Sequence, residues 1–182
     1  MPQPDAVFPG DVTTSPTFAA AMAKLVNGPF VGSRKYQEQQ GRADRMGMHP
    51  DLRRFETAFQ GRLVKLKIPM FSAEVVRSAA RQNEMFHLGH SKAKGGESAH
   101  QFGCAFDLVH SVHAWALDAK AWALIGHVGH EVAKSLGIEV TWGGDDGPGD
   151  DFAWDPAHWQ LKHWKALKGG YPVWPQKPPN GV

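Results

Sequence analysis

The most informative parts of the sequence are the stretch SAHQFGCAFD at residues 98–107 and a later segment, WDPAHW at residues 154–159. Together the two segments offer two imidazoles and one carboxylate that could hold a metal, from His100, Asp107 and His158. Asp155 adds a second carboxylate three residues before the later histidine. The spacing alone does not single out this set, because the chain has 10 histidines that allow other combinations.

The first segment is predicted to be a bent loop that leads into a strand. Side chains alternate between the two faces of a strand, so small residues at 103 and 105 leave space beside Asp107, while the even-numbered residues are apolar. Cys104 is therefore expected in the core. His100 and Asp107 would face opposite sides of a regular strand, and a bend at Gly103 is needed for them to converge.

Hydrophobic periodicity predicts short strands mixed with longer helices, a pattern typical of an α+β domain. Helices are expected at residues 51–67, with Asp51 as N-cap, and at 79–88 and 118–135. Strands are expected at residues 72–78, 104–109, 138–142 and 158–161.

The two ends of the chain differ from its centre in composition. Residues 1–45 contain scattered proline and glycine and are predicted to form an extended or loosely docked arm, with one short helix at residues 17–26. Residues 46–170 form the predicted main domain. Residues 171–182, which contain several prolines and a tryptophan, are expected to form an extended tail.

The composition excludes several classes of protein. The 182 residues contain 1 cysteine, so the chain has neither a disulfide framework nor a thiolate zinc finger. The first residues show no basic segment followed by an apolar run, so no secretory signal peptide is expected, and no window approaches the roughly 18 uninterrupted apolar residues of a membrane-spanning helix. A formal net charge of +2 argues neither for nor against nucleic acid.

Two other histidine pairs compete as metal ligands. His110 and His113 form one HxxH pair, and His127 and His130 form another. Glu131 follows His130, but no histidine stands where an HExxH helix needs its second ligand. Solvated or capping histidines are the preferred interpretation of both pairs.

Four ordered blocks carry a resemblance to a known family. The blocks are Arg77-Ser78-x-x-Arg81-Gln82, Ser98-x-His100-x-x-Gly103-x-Ala105-x-Asp107, Trp142-Gly143-Gly144-Asp145 and Asp155-x-x-His158. This order resembles the zinc peptidases that include D-Ala-D-Ala carboxypeptidases and dipeptidases and the L-alanyl-D-glutamate endopeptidases of bacteriophage endolysins. The resemblance implies a Hedgehog/D-Ala-D-Ala peptidase-like fold, with a small antiparallel sheet flanked by helices, and a zinc peptidase catalytic domain at residues 46–170.

The resemblance also implies roles for individual residues. By this resemblance, the zinc ligands are His100, Asp107 and His158. Asp155 is the general acid/base, and Arg77 is the cation near the scissile carbonyl. Ser98 and Gln82 are the implied substrate contacts. A loop-capping role suits Ser98 equally well. Asp145 is expected to hold a loop. Trp142 and Trp154 could line a cleft, and core packing is the preferred interpretation of each.

The function implied by the resemblance is zinc-dependent hydrolysis of peptidoglycan stem peptides, by an endolysin-type L-alanyl-D-glutamate endopeptidase. A D-alanyl-D-alanine carboxypeptidase and a non-catalytic protein that binds zinc or cell wall are the alternatives. We expect a monomer without nucleic-acid partners or membrane insertion, made in the cytoplasm without a signal peptide and released to the cell wall by a holin. One departure from the family concerns the acidic, glycine-rich loop at residues 143–151, which could reshape the substrate cleft.

Overall fold

The computed structural model describes residues 17–145 and 154–167. The helices in these ranges are α1 (Phe18–Leu25), α2 (Gly28–Val31), α3 (Arg34–Gln40), α4 (Pro50–Lys65), α5 (Ala79–His87), α6 (Ala119–Leu136) and α7 (Trp164–Leu167). The strands are β1 (Met70–Glu74), β2 (Ala105–His110), β3 (Val140–Trp142) and β4 (His158–Leu161), and a 3-10 turn at Ala99–Phe102 precedes β2. None of the helices in the described ranges is long and apolar enough to span a membrane.

The strands form one four-stranded antiparallel sheet in the order β1-β2-β4-β3. Phe106 on β2 is paired with Trp159 on β4, and the next pair along is Asp107 with His158. Residues paired directly across antiparallel strands share a face of the sheet, and the face alternates from one pair to the next. The sheet therefore has an apolar face that carries Phe106 and Trp159 and a polar face that carries Asp107 and His158.

Helices cover the apolar face of the sheet. The rings of Phe55 and Phe59 on α4 lie 5.5 and 5.1 Å from the ring of Trp159, and the ring of Phe55 lies 5.7 Å from that of Phe106. These four aromatic side chains are fully buried. Large aromatic rings dominate the energetics of a core because each buries a large apolar area. Packing on this side leaves the opposite face available for polar chemistry.

Most predicted elements are present, with some shifts at their boundaries. The predicted α+β class is confirmed, and β4 begins and ends where the sequence predicts. The expected N-cap of α4 is wrong: His49 is the cap, and its Nδ1 accepts a hydrogen bond from the N–H of Asp51. Pro50 occupies the first turn, where a missing N–H costs nothing. The strand predicted at residues 72–78 lies earlier in the chain, at Met70–Glu74 (β1). The strand ends before Val75, whose carbonyl oxygen bonds to the ring of His100, as described below.

The N-terminal segment at residues 17–45 differs from the extended or loosely docked arm that its composition predicts. The short helix is confirmed as α1, and Thr17 caps it by accepting a hydrogen bond from the N–H of Ala20. Leu25 of α1 is fully buried in the common core. The hydroxyl of Tyr36 on α3 donates to the carbonyl oxygen of Met70 at 3.0 Å. Residues 1–16 and 168–182, which include the predicted tail, lie outside the described residues, so the division into arm, domain and tail stays a prediction.

Candidate metal centre and active-site cleft

Three candidate ligands from three elements converge on the polar face of the sheet. His100 lies in the 3-10 turn, Asp107 on β2 and His158 at the start of β4. His100 Nε2 lies 3.2 Å from Asp107 Oδ1 and 3.3 Å from His158 Nδ1, and His158 Nδ1 lies 3.1 Å from the same carboxylate oxygen. Among the described residues, this is the one group of three such side chains whose ligand atoms all lie within 4.8 Å of one another.

Each of the two imidazoles forms a hydrogen bond through its outer nitrogen, which fixes the orientation of the ring. His100 Nδ1 donates to the carbonyl oxygen of Val75 at 2.8 Å, and His158 Nε2 donates to Gln160 Oε1 at 3.1 Å. A neutral imidazole with one nitrogen protonated presents an acceptor at the other. With both rings neutral, two nitrogen lone pairs and a carboxylate oxygen would face a bound cation. Without a cation, a proton on an inner nitrogen can donate to Asp107 instead. Burial alone would lower the pKa of His158, but this hydrogen bond raises it. Such outer hydrogen bonds orient metal-binding histidines in many proteins, so this group could bind a metal.

The charge of Asp107 fits this environment. Burial alone would raise the pKa of its carboxyl, but the adjacent His100 and His158 hold that pKa well below its usual range. Asp107 therefore presents a carboxylate, the form in which it can act as a ligand.

Gly103 provides the bend that brings His100 over the strand. Its φ of +65° lies in the left-handed region, and a Cβ at this position would lie 2.0 Å from the carbonyl oxygen of Gly47. Glycine alone satisfies both conditions at low cost. The predicted bend is confirmed, although His100 belongs to a turn and not to the strand itself. Cys104, as predicted, is fully buried in the core, and burial raises the pKa of its thiol to about 12.

Asp155 is held beside the triad by the Trp142–Gly144 block. Its N–H donates to the carbonyl oxygen of Gly143 at 3.1 Å, while the N–H of Gly143 donates to the carbonyl oxygen of His158 at 2.8 Å. A Cβ on Gly143 would lie 2.1 Å from the carbonyl oxygen of Asp155, so this approach requires glycine. Trp142 is buried as predicted, and its indole N–H donates to the carbonyl oxygen of Pro156 at 2.8 Å. The block thus shapes the turn that connects Asp155 to His158.

The carboxyl of Asp155 differs electrostatically from that of Asp107. Burial raises the pKa of Asp155, and the negative charge of Asp107 raises it further. A half-buried carboxyl with a raised pKa, next to a cluster of charged groups, is suited to accept and return a proton.

Arg77 lies behind Asp107 and is only 7% exposed. Its Nη2 lies 3.3 Å from Asp107 Oδ2 and 2.6 Å from Glu74 Oε2, and its Nη1 donates to Gln82 Oε1 at 2.8 Å. The guanidinium therefore braces the carboxylate oxygen of Asp107 that does not face the histidines.

Gln82 lies in a buried hydrogen-bond network, whereas a substrate contact is expected to face the cleft. Gln82 is 0% exposed. While its oxygen accepts from Arg77, its Nε2 donates to the hydroxyl of Ser91 at 2.8 Å and to the carbonyl oxygen of Ala93 at 2.7 Å. Gln82 thus connects the arginine to the glycine-rich loop and stands behind the surface on which a substrate would lie.

Ser98 has the surroundings expected of a substrate contact. It precedes the 3-10 turn, but its side chain makes no capping hydrogen bond to that turn. Ser98 is half-buried and lines the cleft that contains the triad. The geometry does not support the loop-capping alternative.

The triad opens into a cleft of about 1150 Å³ on the polar face of the sheet. Trp154 lines this cleft and is 41% exposed, so the prediction that it packs in the core is wrong. The segment from 146 to 153, which contains most of the acidic loop, lies outside the described residues. Trp115 also lines the cleft and is exposed.

His110 and His130, one from each competing pair, make contacts that connect elements of the fold. His110 is buried, its Nε2 donates to the carbonyl oxygen of Leu25 at 3.1 Å, and its Nδ1 accepts from the N–H groups of Val112 and His113. Burial lowers the pKa of His110. On α6, His130 Nε2 lies 2.9 Å from Asp145 Oδ2, a contact that ties the helix to the loop after β3.

Some residues of the site escape sequence reasoning. Gln160 follows His158 by two residues on the same strand and so shares its face, a periodic signal that could have identified it. Val75 acts through its backbone carbonyl, for which the sequence carries no signal. Glu74 is found only through the pairing of β1 with β2, which places it opposite Asp107.

The comparisons with known proteins agree with this architecture. No protein-family model matches the sequence, and the comparison with curated proteins gives no match. Among solved structures, the chain is similar to the crystal structure of the Serratia marcescens L-Ala D-Glu endopeptidase ChiX, with a TM-score of 0.54 and 28% sequence identity over 74% of this chain and 91% of that chain. This similarity supports the resemblance to the peptidase family that the sequence blocks carry. The fold, helices around a small four-stranded antiparallel sheet, is D-Ala-D-Ala peptidase-like.

Proposed function

We propose that the protein is a zinc-dependent peptidase that hydrolyses peptidoglycan stem peptides, and that it cleaves the bond between L-Ala and D-Glu. The observation that carries the proposal is the convergence of two imidazole nitrogens and a carboxylate oxygen beside Asp155 in an open cleft. The similarity to an L-Ala D-Glu endopeptidase supports the substrate class and the choice of bond.

Zinc suits the donor set because two imidazole nitrogens and one carboxylate oxygen are a ligand set of catalytic zinc sites. His100, Asp107 and His158 would hold the ion, and the hydrogen bonds to Val75 and Gln160 orient the two rings so that their inner nitrogens face it. When bound, zinc lowers the pKa of a coordinated water to about 7 and polarises a carbonyl group.

Asp155 is the proposed general acid/base. It takes a proton from the attacking water and returns it to the amine nitrogen that leaves when the peptide bond breaks. The raised pKa of Asp155 suits this role, because the carboxyl accepts a proton more readily than an exposed aspartate. The hydrogen bond from the N–H of Asp155 to the carbonyl oxygen of Gly143 fixes the main chain that carries this carboxyl beside the triad.

Arg77, Ser98 and Gln82 support this chemistry in different ways. Arg77 orients Asp107, and its positive charge favours the negative charge that develops on the scissile carbonyl oxygen. Ser98 is the proposed hydrogen-bond partner of the substrate in the cleft. Gln82 is assigned to positioning Arg77.

The test is digestion of purified peptidoglycan by the purified protein, followed by mass spectrometry of the fragments. We expect new N-terminal D-glutamate, loss of digestion with a chelator, and recovery on addition of zinc. Released D-alanine would instead establish a D-alanyl-D-alanine carboxypeptidase. Zinc binding without any cleavage would establish a non-catalytic protein and overturn the proposed activity.

A further inference from the structure

The cationic side chains of the cleft differ in how they are paired. Arg77 and Arg81 both form ion pairs with acidic neighbours, Glu74 among them. Lys92 also lines the cleft, yet it has no ion pair with any residue in the ranges 17–145 and 154–167. Its ammonium lies 4.5 Å from the centroid of the Trp154 ring. A cation over an aromatic face is held there by the ring quadrupole, while its N–H groups remain able to donate to an anion.

Both residues that flank Lys92 are anchored. The hydroxyl of Ser91 and the carbonyl oxygen of Ala93 accept hydrogen bonds from the buried side-chain amide of Gln82, at 2.8 and 2.7 Å. The oxygen of the same side chain accepts from Arg77, which in turn braces Asp107. The loop that carries Lys92 is therefore connected to the wall behind the triad, and the lysine is placed within the cleft by a buried network.

The position of Lys92 relates it to one side of the scissile bond. Trp154, under its ammonium, directly precedes Asp155. Because Asp155 returns a proton to the leaving amine, the residue that carries that amine lies on the side of Asp155. Arg42, another cation of the cleft without an ion pair among the described residues, lies over Phe71 on the edge strand β1 and so belongs to the other end of the sheet.

We propose that Lys92 binds the carboxylate of the residue on the leaving-group side of the scissile bond, so that the cleft selects an anionic residue there. This inference rests on the proposed function. A glutamate that is joined to alanine through its amine, and to the rest of the peptide through one carboxyl, keeps its second carboxyl as a free carboxylate. Replacing that carboxylate with a carboxamide removes the charge and leaves the size of the residue almost unchanged.

The test compares two peptides of one sequence. Both contain acetyl-L-alanyl-D-glutamate continued through the γ-carboxyl, and the α-carboxyl is free in one and amidated in the other. The zinc-loaded wild type is expected to prefer the free carboxylate, and Lys92→Met is expected to reduce the ratio of the two kcat/KM values about tenfold. Lys92→Arg should retain most of the preference.

Lys94→Met is the matched control, because Lys94 belongs to the same loop but lies over Phe86, 5.4 Å from its centroid. It should leave the ratio unchanged. If Lys92→Met keeps the wild-type ratio, or if Lys94→Met lowers it equally, the inference is overturned.

A binding measurement separates this inference from the proposed activity. Calorimetry of both peptides on the zinc-loaded Asp155→Asn variant, with and without Lys92→Met, reports the carboxylate preference without turnover. A wild type that cleaves neither peptide would contradict the proposed function, and calorimetry would still decide whether Lys92 recognises the carboxylate. Equal affinity for the two peptides with Lys92 intact would overturn the inference.

Discussion

Two groups of buried histidines associated with strand β2 show how differently the same side chain can be used. At His110 both ring nitrogens have complementary partners, since one donates to Leu25 and the other accepts from two backbone N–H groups. At His100 and His158 the outer nitrogens bond to Val75 and Gln160, while the inner nitrogens face each other and share one carboxylate oxygen of Asp107.

The difference shows that burial does not by itself mark a metal ligand. Buried polar atoms in folded proteins are almost always paired with a complementary group. His110 satisfies that requirement with protein atoms alone and is a structural residue. The His100–His158 pair instead brings two imidazole nitrogens and a carboxylate oxygen to one point, an arrangement that a bound cation would stabilise. The following predictions test this contrast.

The largest expected effect comes from removing a member of the triad. His158→Ala should lose bound zinc and reduce peptidoglycan hydrolysis to background, because two ligands remain where catalytic zinc needs three. Metal analysis of the purified variant and the digestion assay are the measurements. His113→Ala, from one of the competing pairs, is the control and should keep both properties. A His158→Ala protein that still carries zinc and still digests cell wall would break the contrast.

Asp155→Asn should separate binding from chemistry. Zinc content should stay at the wild-type level while turnover falls by about 10²–10⁴-fold, the usual contribution of a positioned acid/base. Single-turnover rates on a defined peptide, together with metal analysis, provide the measurement. Asp51→Asn, an exposed carboxylate on α4, should change neither. Normal turnover in Asp155→Asn would remove this residue from the mechanism.

Gln160→Leu should weaken the metal site without abolishing it. Loss of the acceptor for His158 Nε2 frees the ring to rotate or change tautomer, and zinc affinity should fall about 10–100-fold. Competition with a chromogenic chelator measures the affinity. Gln39→Leu removes an equally buried glutamine that bonds to the carbonyl oxygen of Ser111, and it should leave zinc affinity unchanged. The same affinity in both variants would show that the outer hydrogen bond has no effect on the metal.

His110→Ala should lower the stability of the protein and leave zinc binding unchanged. It leaves buried backbone groups without partners, and each such loss costs about 1–3 kcal/mol. Chemical denaturation of the variant and of His113→Ala gives the difference in the free energy of unfolding. Zinc affinity should match that of the wild type. A marked loss of zinc with little change in stability would contradict the assignment of His110 as a structural residue.

Lowering the pH should reveal a smaller contribution of His110 to the free energy of unfolding. Burial lowers the pKa of His110 below the value of about 6.5 expected in the unfolded chain. The unfolded state therefore binds the proton first, so this contribution to stability is present above about pH 6.5 and is lost as the pH falls toward the folded pKa. Unfolding curves at about pH 7.5 and 5.5 should show a smaller pH effect in His110→Gln than in the wild type. An equal pH effect in both proteins would contradict this assignment.

Local periodicity explains what could be predicted from the sequence. Alternation along β2 separates buried Phe106 from Asp107, and the same rule correctly places Cys104 in the core. The bend at Gly103 follows from the need to bring His100 and Asp107 to one side. These are properties of a few neighbouring residues, and the period of a strand or the freedom of a glycine determines them.

Local patterns in the sequence are enough to predict the fold class, the two faces of the strands and the segments that supply the candidate ligands. The surroundings of the site depend on the tertiary fold: the carbonyl oxygen of Val75 on His100, the burial of Gln82 behind Arg77, and the exposure of Trp154 under Lys92. The physical reason is that these contacts join residues far apart in the chain, and several of them use backbone atoms that every residue possesses. No local pattern of side chains can specify such partners, so they emerge only when the strands and loops are assembled.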